Sequence, residues 1–453
     1  MAATAVLDIG KTNLKVVLFD PSGHVLWEKS RPNKPLTAPP YLHADVEMIW
    51  QFVLAALAEG NTVHPIDAIV TTAHGASGVA IDGTGPVLPV LDYEDKGPEG
   101  IETRYATIRP AFAESLSPPA AGGLNLARQF AYQKWQFPEH FARTRHLLNY
   151  PQYWSWRLSG IAASEVTSLG CHTDLWNPKA RALSSVVDAL GIRSLFPQIR
   201  PAWDTLGTIK PDISSKTGLD PTTRVISGIH DSNASLLPNL LGRPAPFTVV
   251  STGTWVIILN VGQPFESLDI TSDLYANVDA TGAPVPCARF MGGREYEAIC
   301  GGVTGEADMA SLQRVIASGA VALPSFTGQG GPYAGRKGEI VGEIDDANRP
   351  ALATLHIALM TDDLLTRLGA NAGDLIVEGS FGRNAAYCGT LAALRPAQSV
   401  RLPADQSGTA RGAALLAHWP RKPKLAPDHV AEPIGLFGLE GYRDLWRAML
   451  AVA

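Results

Sequence analysis

The sequence predicts an α/β protein made of two related domains. Three observations carry that expectation. A chain of 453 residues, 45% of them apolar, has the material for two sizeable cores. Short β-rich runs alternate with helices that carry one apolar face. The strand–bend–strand pattern that opens the chain restarts near residue 247.

The opening pattern is a hairpin over residues 4–27. Ala5-Val6-Leu7-Asp8-Ile9 is a short apolar run, Gly10-Lys11-Thr12-Asn13 has turn chemistry, and Leu14 to Phe19 resumes the strand. A second turn at Asp20-Pro21-Ser22-Gly23 returns the chain into Val25-Leu26-Trp27. Val46, Ile49, Trp50, Val53, Leu54 and Leu57 then recur at helical spacing, behind Asp45 as a capping residue. Ile66 to Thr71 is a further strand. Mixed elements continue to about residue 235, where Pro238 and the stretch Gly242 to Pro246 break the pattern. Phe247 to Ser251, Thr252-Gly253-Thr254 and Trp255 to Leu259 repeat strand, small polar bend, strand. Late in the chain Leu375 to Glu378 runs as a strand into Gly379-Ser380-Phe381-Gly382, followed by a helix from Asn384 to Leu394. The expected domains are residues 1–236 and 237–453.

Composition excludes several classes. Lys plus Arg number 37 and Asp plus Glu 43, a net charge of −6 without the basic excess of a general nucleic-acid binder. Cys171, Cys287, Cys300 and Cys388 form no CxxC pair, which argues against a zinc ribbon or a thiol redox motif. No window of eighteen apolar residues is present, and no basic-then-apolar leader opens the chain, so the cytoplasm is the expected location. Gly10-Lys11-Thr12 is not the end of a phosphate-binding P-loop, because Ala5 stands where that motif needs glycine and a strand follows instead of a helix. Ser77, in Gly75-Ala76-Ser77-Gly78, lacks the spacing of a nucleophile elbow.

Three small-residue bends follow apolar runs and carry the groups phosphoryl transfer needs: backbone N–H and hydroxyl donors for phosphates, and carboxylates for a metal ion or an acceptor proton. They are Asp8 to Asn13, Gly228-Ile229-His230-Asp231-Ser232 and Ser251 to Thr254. Taken singly, each is equally readable as an ordinary turn.

Their order resembles the FGGY family of carbohydrate kinases, in the superfamily shared with actin and chaperone ATPases, and the resemblance covers nearly the whole chain. LDIGKTNLKVVLFD (7–20) is similar to the first phosphate hairpin, and TAHGASGVAIDGTGPVLPVLDYED (72–95) to the sugar-contacting strand pair. NYPQYWSWRLSGIAASEVTSLGCHTDLWNP (149–178) resembles a helix followed by a Thr/Ser-rich turn. GIHDSNAS (228–235) resembles the catalytic segment and STGTW (251–255) the second phosphate turn. VEGSFGRNAAY (377–387) and TARGAALLA (409–417) resemble the adenosine segment and its closing helix. Two segments differ from the family pattern: Ser380 follows Gly379 where a second glycine is usual, and Tyr93-Glu94-Asp95-Lys96 replaces aromatic-x-Asp-x-Arg.

The resemblance implies two ribonuclease-H-like (actin-like ATPase) domains with a ligand cleft between them. It implies Asp231 as general base, Asp8 as the Mg²⁺ ligand, and His74, Tyr93 and Asp95, with Asp92, as sugar contacts. Lys11, Thr12, Asn13, Gly253, Thr254, Gly379, Gly382 and Asn384 would meet ATP, with Lys15 an alternative cation to Lys11. Asn277 and the stretch Met291 to Tyr296 fall where some deoxyketose kinases approach a ligand, although Arg294 and Glu295 would equally suit a surface ion pair. The implied activity is transfer of the γ-phosphoryl group of ATP to a ketose, a 6-deoxyketohexose such as L-fuculose or L-rhamnulose at O1. Xylulose, ribulose or polyol kinases of the same family are alternatives. The implied partners are ATP, Mg²⁺ and a small sugar, without nucleic acid or membrane, in a chain that could pair as a homodimer. A sugar sensor without catalysis and a protein-directed ATPase are the rivals from other classes. Asp8 and Asp231 argue against the first, and His74 with Asp95 against the second.

Overall fold

The computed structural model describes residues 3–265, 268–404 and 408–452; the outermost residues of the two expected domains, Met1 and Ala453, lie outside them. The chain packs as two units. Unit 1 comprises the described residues of Met1–Gly242, Ala276–Pro284 and Ser407–Leu425, and unit 2 those of Arg243–Tyr275, Val285–Gln406 and Ala426–Ala453.

Unit 1 is built on strands β1 (Ala3–Ile9), β2 (Asn13–Phe19), β3 (Val25–Pro32), β4 (Ile66–Ala73), β5 (Thr205–Thr208), β6 (Arg224–Ile226) and β7 (Ile229–His230). Their order is β5-β6-β4-β1-β2-β3, with β7 also on β4. β1 pairs antiparallel with β2 from Thr4↔Phe19 to Ile9↔Leu14, and parallel with β4. Both faces of the sheet are covered, which is why β1 reads as a continuous apolar run rather than an alternating one. One face packs Leu7, Ile9, Leu14 and Val16 against Ile49, Val53 and Leu57 of helix Val46–Val63 and Trp154 of helix Tyr150–Ser159. The other packs Val6, Val17 and Val70 against Ala234, Leu237 and Ala413. The first of those helices opens where the sequence predicts, with the Asp45 carboxylate accepting from the Met48 amide at 2.9 Å.

Unit 2 repeats the arrangement with β8 (Phe247–Thr252), β9 (Val256–Val261), β10 (Pro284–Phe290), β11 (Asp374–Gly379), β12 (Val400–Leu402) and β13 (His429–Val430). Its strands run in the order β10-β9-β8-β11-β12-β13. In each unit three antiparallel strands are followed by a fourth strand parallel to the first (β4 on β1, β11 on β8) and a fifth parallel to the fourth (β6 on β4, β12 on β11). An antiparallel edge strand completes each sheet. The restart of the sequence pattern at residue 247 is thus a repeat of strand order and direction.

Two details depart from the sequence reading. Pro238 does not end an element: helix Asp231–Gly242 runs through it. Residues 408–425, which the resemblance assigns to the nucleotide half, pack within unit 1. One contact joins the two. Proline at 238 has no N–H for the carbonyl of Ala234, and the backbone of Gly412, in helix Gly408–Ala414, seats on that carbonyl so closely that a Cβ there would lie 1.7 Å from the oxygen. Ser235 and Thr409 hydroxyls add a hydrogen bond at 3.0 Å.

Because no rotamer can relieve a clash at Cβ, Gly412→Ala should destabilise the chain by about 2–3 kcal/mol. Chemical denaturation monitored by tryptophan fluorescence reads the change; a variant as stable as the parent would mean that the helices do not meet at this carbonyl.

Candidate active site

In unit 1 the parallel register builds the site. Asp8 stands beside Thr72 and Ile9 beside Ala73, while Ile229 and His230 stand beside the same Thr72 and Ala73. Gly10, His74 and Asp231 therefore leave the carboxyl ends of three parallel strands, the place where open α/β sheets bind ligands. The His74 amide donates to the Ile9 carbonyl at 3.2 Å, locking two of the three ends together. Asp8 lies on the face it shares with Val6, opposite Lys15 across the hairpin. Its carboxyl is pushed up to about 6, chiefly by burial and then by the negative charge of Asp231, with Lys15 opposing.

A polar wall faces these carboxylates. His74 Nδ1 lies 3.0 Å from the carbonyl of Gly75, which makes it the donor nitrogen and leaves Nε2 as a lone-pair acceptor. Burial holds the His74 imidazole below its usual pKa and so neutral at pH 7, against the pull of Asp231 and Asp92. Its ring packs between Tyr93, with centroids 5.7 Å apart, and Tyr150, at 5.1 Å. The ammonium of Lys11 pairs with Asp92, lies 3.2 Å from Glu94 and sits 4.7 Å above the Tyr93 ring. Lys11, His74, Ser77 and Asp92 line a concavity of about 10 Å³, room for about one water.

Asp231 is the first residue of helix Asp231–Gly242 and its side chain is 31% exposed, so a ligand can reach it. One carboxylate oxygen accepts from the Ser232 amide at 2.6 Å and lies 3.1 Å from His230 Nε2. His230 is buried against Gly75, with Cys171 Sγ 3.6 Å from the same nitrogen. Its backbone is fixed in turn: the His230 amide donates to the Thr167 hydroxyl at 3.1 Å, and that hydroxyl donates to the buried Glu165 carboxylate at 2.5 Å. The base candidate is therefore held from both sides of the strand end.

Unit 2 supplies a second constellation. The bend after β8 is closed by the Gly253 amide donating to the Trp255 carbonyl at 2.9 Å, and the space above Gly253 is open. Thr254 is exposed beside it, and the first turn of helix Gly292–Cys300 abuts the bend, its Gly293 amide donating to the Thr254 carbonyl at 3.2 Å. β11 ends alongside at Thr252↔Gly379. Gly379 has φ +87°, and a Cβ there would lie 1.9 Å from the Thr252 carbonyl oxygen, so only glycine fits. Gly382 lies in the turn Phe381–Arg383, and Asn384 caps helix Ala385–Leu394, accepting from the Tyr387 amide at 3.0 Å.

Residues 3–238 match the model of the N-terminal domain of the FGGY family of carbohydrate kinases, and residues 244–426 match that of the FGGY C-terminal domain. The chain belongs to the FGGY family. With that come its two-sheet α/β architecture and actin-like ATPase fold. The chain is 26% identical to the L-fuculokinase of Salmonella typhi over 56% of its own length, and spans about half, 55%, of that relative. Among solved structures it is similar to a carbohydrate kinase from Novosphingobium aromaticivorans, at 35% identity and TM-score 0.93, covering 100% of this chain and 99% of the other. It shares the fold of a ligand-bound xylulose kinase from Lactobacillus acidophilus, at 17% identity and TM-score 0.83, covering 100% and 98%. No helix among the described residues is long and apolar enough to cross a membrane.

Within this FGGY chain the structure gathers Asp8, His74, Tyr93, Asp92 and Asp231 in unit 1, and Gly253, Thr254 and Gly379 in unit 2. Thr12 and Asn13 are exposed on the first bend, which Asn33 braces through a 2.8 Å bond to the Gly10 carbonyl. Lys11 faces the sugar candidates, because Asp92 and Glu94 offer it two carboxylates there. Asp95 has both oxygens engaged by backbone, accepting from the Leu42 and Gly97 amides at 2.8 and 2.7 Å, so it shapes the wall. Glu295 forms no surface pair: it is buried, 2.6 Å from His356 Nε2, while Arg294 lies 3.6 Å from Glu297 on the exterior. Asn277 is buried within unit 1, its side-chain oxygen without a hydrogen-bond partner among the described residues. Sequence reading missed His230 and Tyr150, which lie inside quoted motifs but have no pattern that distinguishes them from core residues.

The Asp8 carboxyl should titrate near 6 when followed by ¹³C-carboxyl NMR. In Asp231→Asn its midpoint should fall toward the ordinary aspartate range, because a like charge no longer opposes its ionisation. A midpoint near 4 in both proteins would mean that Asp8 is neither buried nor beside Asp231.

Proposed function

We propose that this chain is an ATP-dependent sugar kinase that phosphorylates a ketose, a 6-deoxyketohexose such as L-fuculose or L-rhamnulose, at O1. The observation that carries the reading is the convergence of Asp8, His74 and Asp231 on the carboxyl ends of three parallel strands. The likeness to an L-fuculokinase supports the choice of sugar.

The acceptor hydroxyl lies against Asp231, whose carboxylate takes its proton as the oxygen attacks. The new O–P bond forms to the γ-phosphorus while the bond to the β-phosphate oxygen breaks, and ADP leaves. His74 Nε2 accepts from a second sugar hydroxyl, Lys11 and Asp92 offer a donor and an acceptor, and the Tyr93 ring offers an apolar face for C–H groups. The open bend at Gly253 and the Thr254 hydroxyl receive phosphate oxygens, and Gly379, Gly382 and Asn384 lie along the nucleotide.

Mg²⁺ fits the residues present. It binds proteins through one or two carboxylates while keeping waters and phosphate oxygens, and Asp8 supplies one such carboxylate; among the described residues no larger cluster of metal ligands occurs. Asp8 would hold the ion, which supplies charge neutralisation on the transferring phosphate.

The test is sugar-dependent ADP release over a panel of ketoses, aldoses and polyols, with ³¹P and ¹³C NMR of the product. A 1-phosphorylated 6-deoxyketohexose is the expected product. Preference for xylulose, ribulose or glycerol would overturn the substrate; ADP release that ignores sugar would overturn the kinase. Asp231→Asn should lower turnover about 10²–10⁴-fold while ATP still binds by calorimetry, and retained turnover would remove Asp231 as the base.

A further inference from the structure

Two ionisable side chains lie in the core of unit 2, and the chemistry assigned to the site uses neither. Glu295, in helix Gly292–Cys300, and His356, in helix Arg349–Arg367, are each 1% exposed. His356 Nδ1 lies 2.9 Å from the carbonyl of Ala322, which can only accept, so that nitrogen carries a hydrogen. Its Nε2 lies 2.6 Å from Glu295 Oε2, too close for two lone pairs to face each other, so a second proton sits in that contact. The other carboxylate oxygen accepts from the Ser325 hydroxyl at 3.1 Å, and the Phe326 ring meets the His356 ring edge-on at 5.7 Å.

Stability alone does not account for such a pair. The cost of desolvating two ionisable groups offsets what their attraction returns, and apolar side chains of similar volume often fill the same space without loss. What a buried polar network fixes is geometry, because its hydrogen bonds are satisfied in one arrangement. Here that arrangement leads to the bend after β8. Helix Gly292–Cys300 starts flush against it: a Cβ at Gly293 would lie 2.5 Å from the Gly253 carbonyl oxygen, and one at Gly292 2.5 Å from Val256. The Gly293 amide donates to the Thr254 carbonyl, and Glu295 stands two residues further on. Ser325 opens a glycine-rich loop that the Gly338 amide closes on the Ser325 carbonyl at 2.7 Å. That loop packs beside the bend as well. A Cβ at Gly330 would lie 2.6 Å from the Trp255 ring, and the Gly331 amide donates to the Asp273 carboxylate at 2.9 Å. One carboxylate thus ties together the helix and the loop that pack against residues 253–255, and His356 anchors it to helix Arg349–Arg367.

We propose that Glu295, held by His356, is a positioning residue for the bend 252–254 and thereby sets the affinity of that bend for the phosphates of ATP. The inference rests on the reading of this bend as a phosphate site. Glu295 is buried and acts through the first turn of its helix and through Ser325, so it is not itself a ligand.

The test is ATP titrated calorimetrically into the full chain and three variants, with thermal denaturation and amide hydrogen exchange over residues 251–256. The double variant E295L/H356L replaces the pair by apolar side chains. The groups left behind keep partners, because Trp446 Nε1 also donates to the Ala322 carbonyl at 2.9 Å and the Ser325 hydroxyl lies 3.2 Å from that of Thr327. It should unfold at the temperature of the parent, exchange faster over 251–256, and bind ATP about fivefold more weakly, the worth of roughly one hydrogen bond. Its KM for the sugar should stay that of the parent. In E295Q the amide can accept from Ser325 and donate to His356 Nε2, so ATP affinity should be kept. Ser325→Ala removes one donor to the same carboxylate and should weaken ATP about twofold, which keeps the test decisive if the double variant does not fold. Parental ATP affinity in E295L/H356L or in Ser325→Ala would overturn the proposal, as would an E295Q as weak as the double variant. A parent chain that binds no ATP would overturn the reading of the bend, and the proposal with it.

Discussion

The parallel pairing of β4 with both β1 and β7 is the constraint on which the rest of unit 1 depends. Parallel strands present their carboxyl ends on one edge, and the register decides which residues share it. Here Thr72 and Ala73 serve as the common ruler: Asp8 and Ile9 align on one side, Ile229 and His230 on the other. A shift of one residue in either pairing would turn Asp8 or Asp231 to the opposite face. The buried apolar faces forbid that shift, because Leu7 and Ile9 on one side and Val6 on the other are each committed to a core. The hydrophobic packing of the sheet thereby fixes the spacing of two carboxylates.

That spacing has an electrostatic consequence. The carboxyl of Asp8 moves up to about 6, chiefly because burial disfavours its charged form and then because Asp231 adds a like charge. Lys11 takes no part in this balance: it is held over Tyr93 by Asp92 and Glu94, and its charge serves the polar wall. His74, kept neutral by burial, can offer a lone pair where a cationic imidazole could only donate. Around Asp231 the support is mechanical, running from Glu165 through the Thr167 hydroxyl to the His230 amide.

Much of this could be read without coordinates, for local reasons. The opening hairpin, the Asp45-capped helix and the strand at 375–378 announce themselves through periodicity, turn chemistry and capping, all set by neighbours within a few residues. The ordered series of short motifs was enough to indicate the family and to single out Asp8, His74 and Asp231. Less legible were residues whose partners lie far along the chain. Asp95 reads as a sugar ligand, and its oxygens also accept from the amides of Leu42 and Gly97. Glu295 reads as lying near a ligand or in a surface ion pair, and it is buried with His356. Pro238 reads as a break, yet the helix runs through it, with Gly412, over a hundred residues later, packed beside the carbonyl that Pro238 cannot serve.

From its sequence alone the chain determines which strands and helices form, that the pattern occurs twice, and which acids and glycines stand at the bends. Those properties depend on short-range sterics, propensity and hydrophobic spacing, which are carried by consecutive residues. Tertiary structure alone decides the register that brings Asp8 and Asp231 to one edge, the ion pairs that draw Lys11 toward Asp92, and the return of residues 408–425 into unit 1. These arise from contacts between distant segments, whose energies depend on burial and mutual distance, quantities that no local stretch of sequence contains.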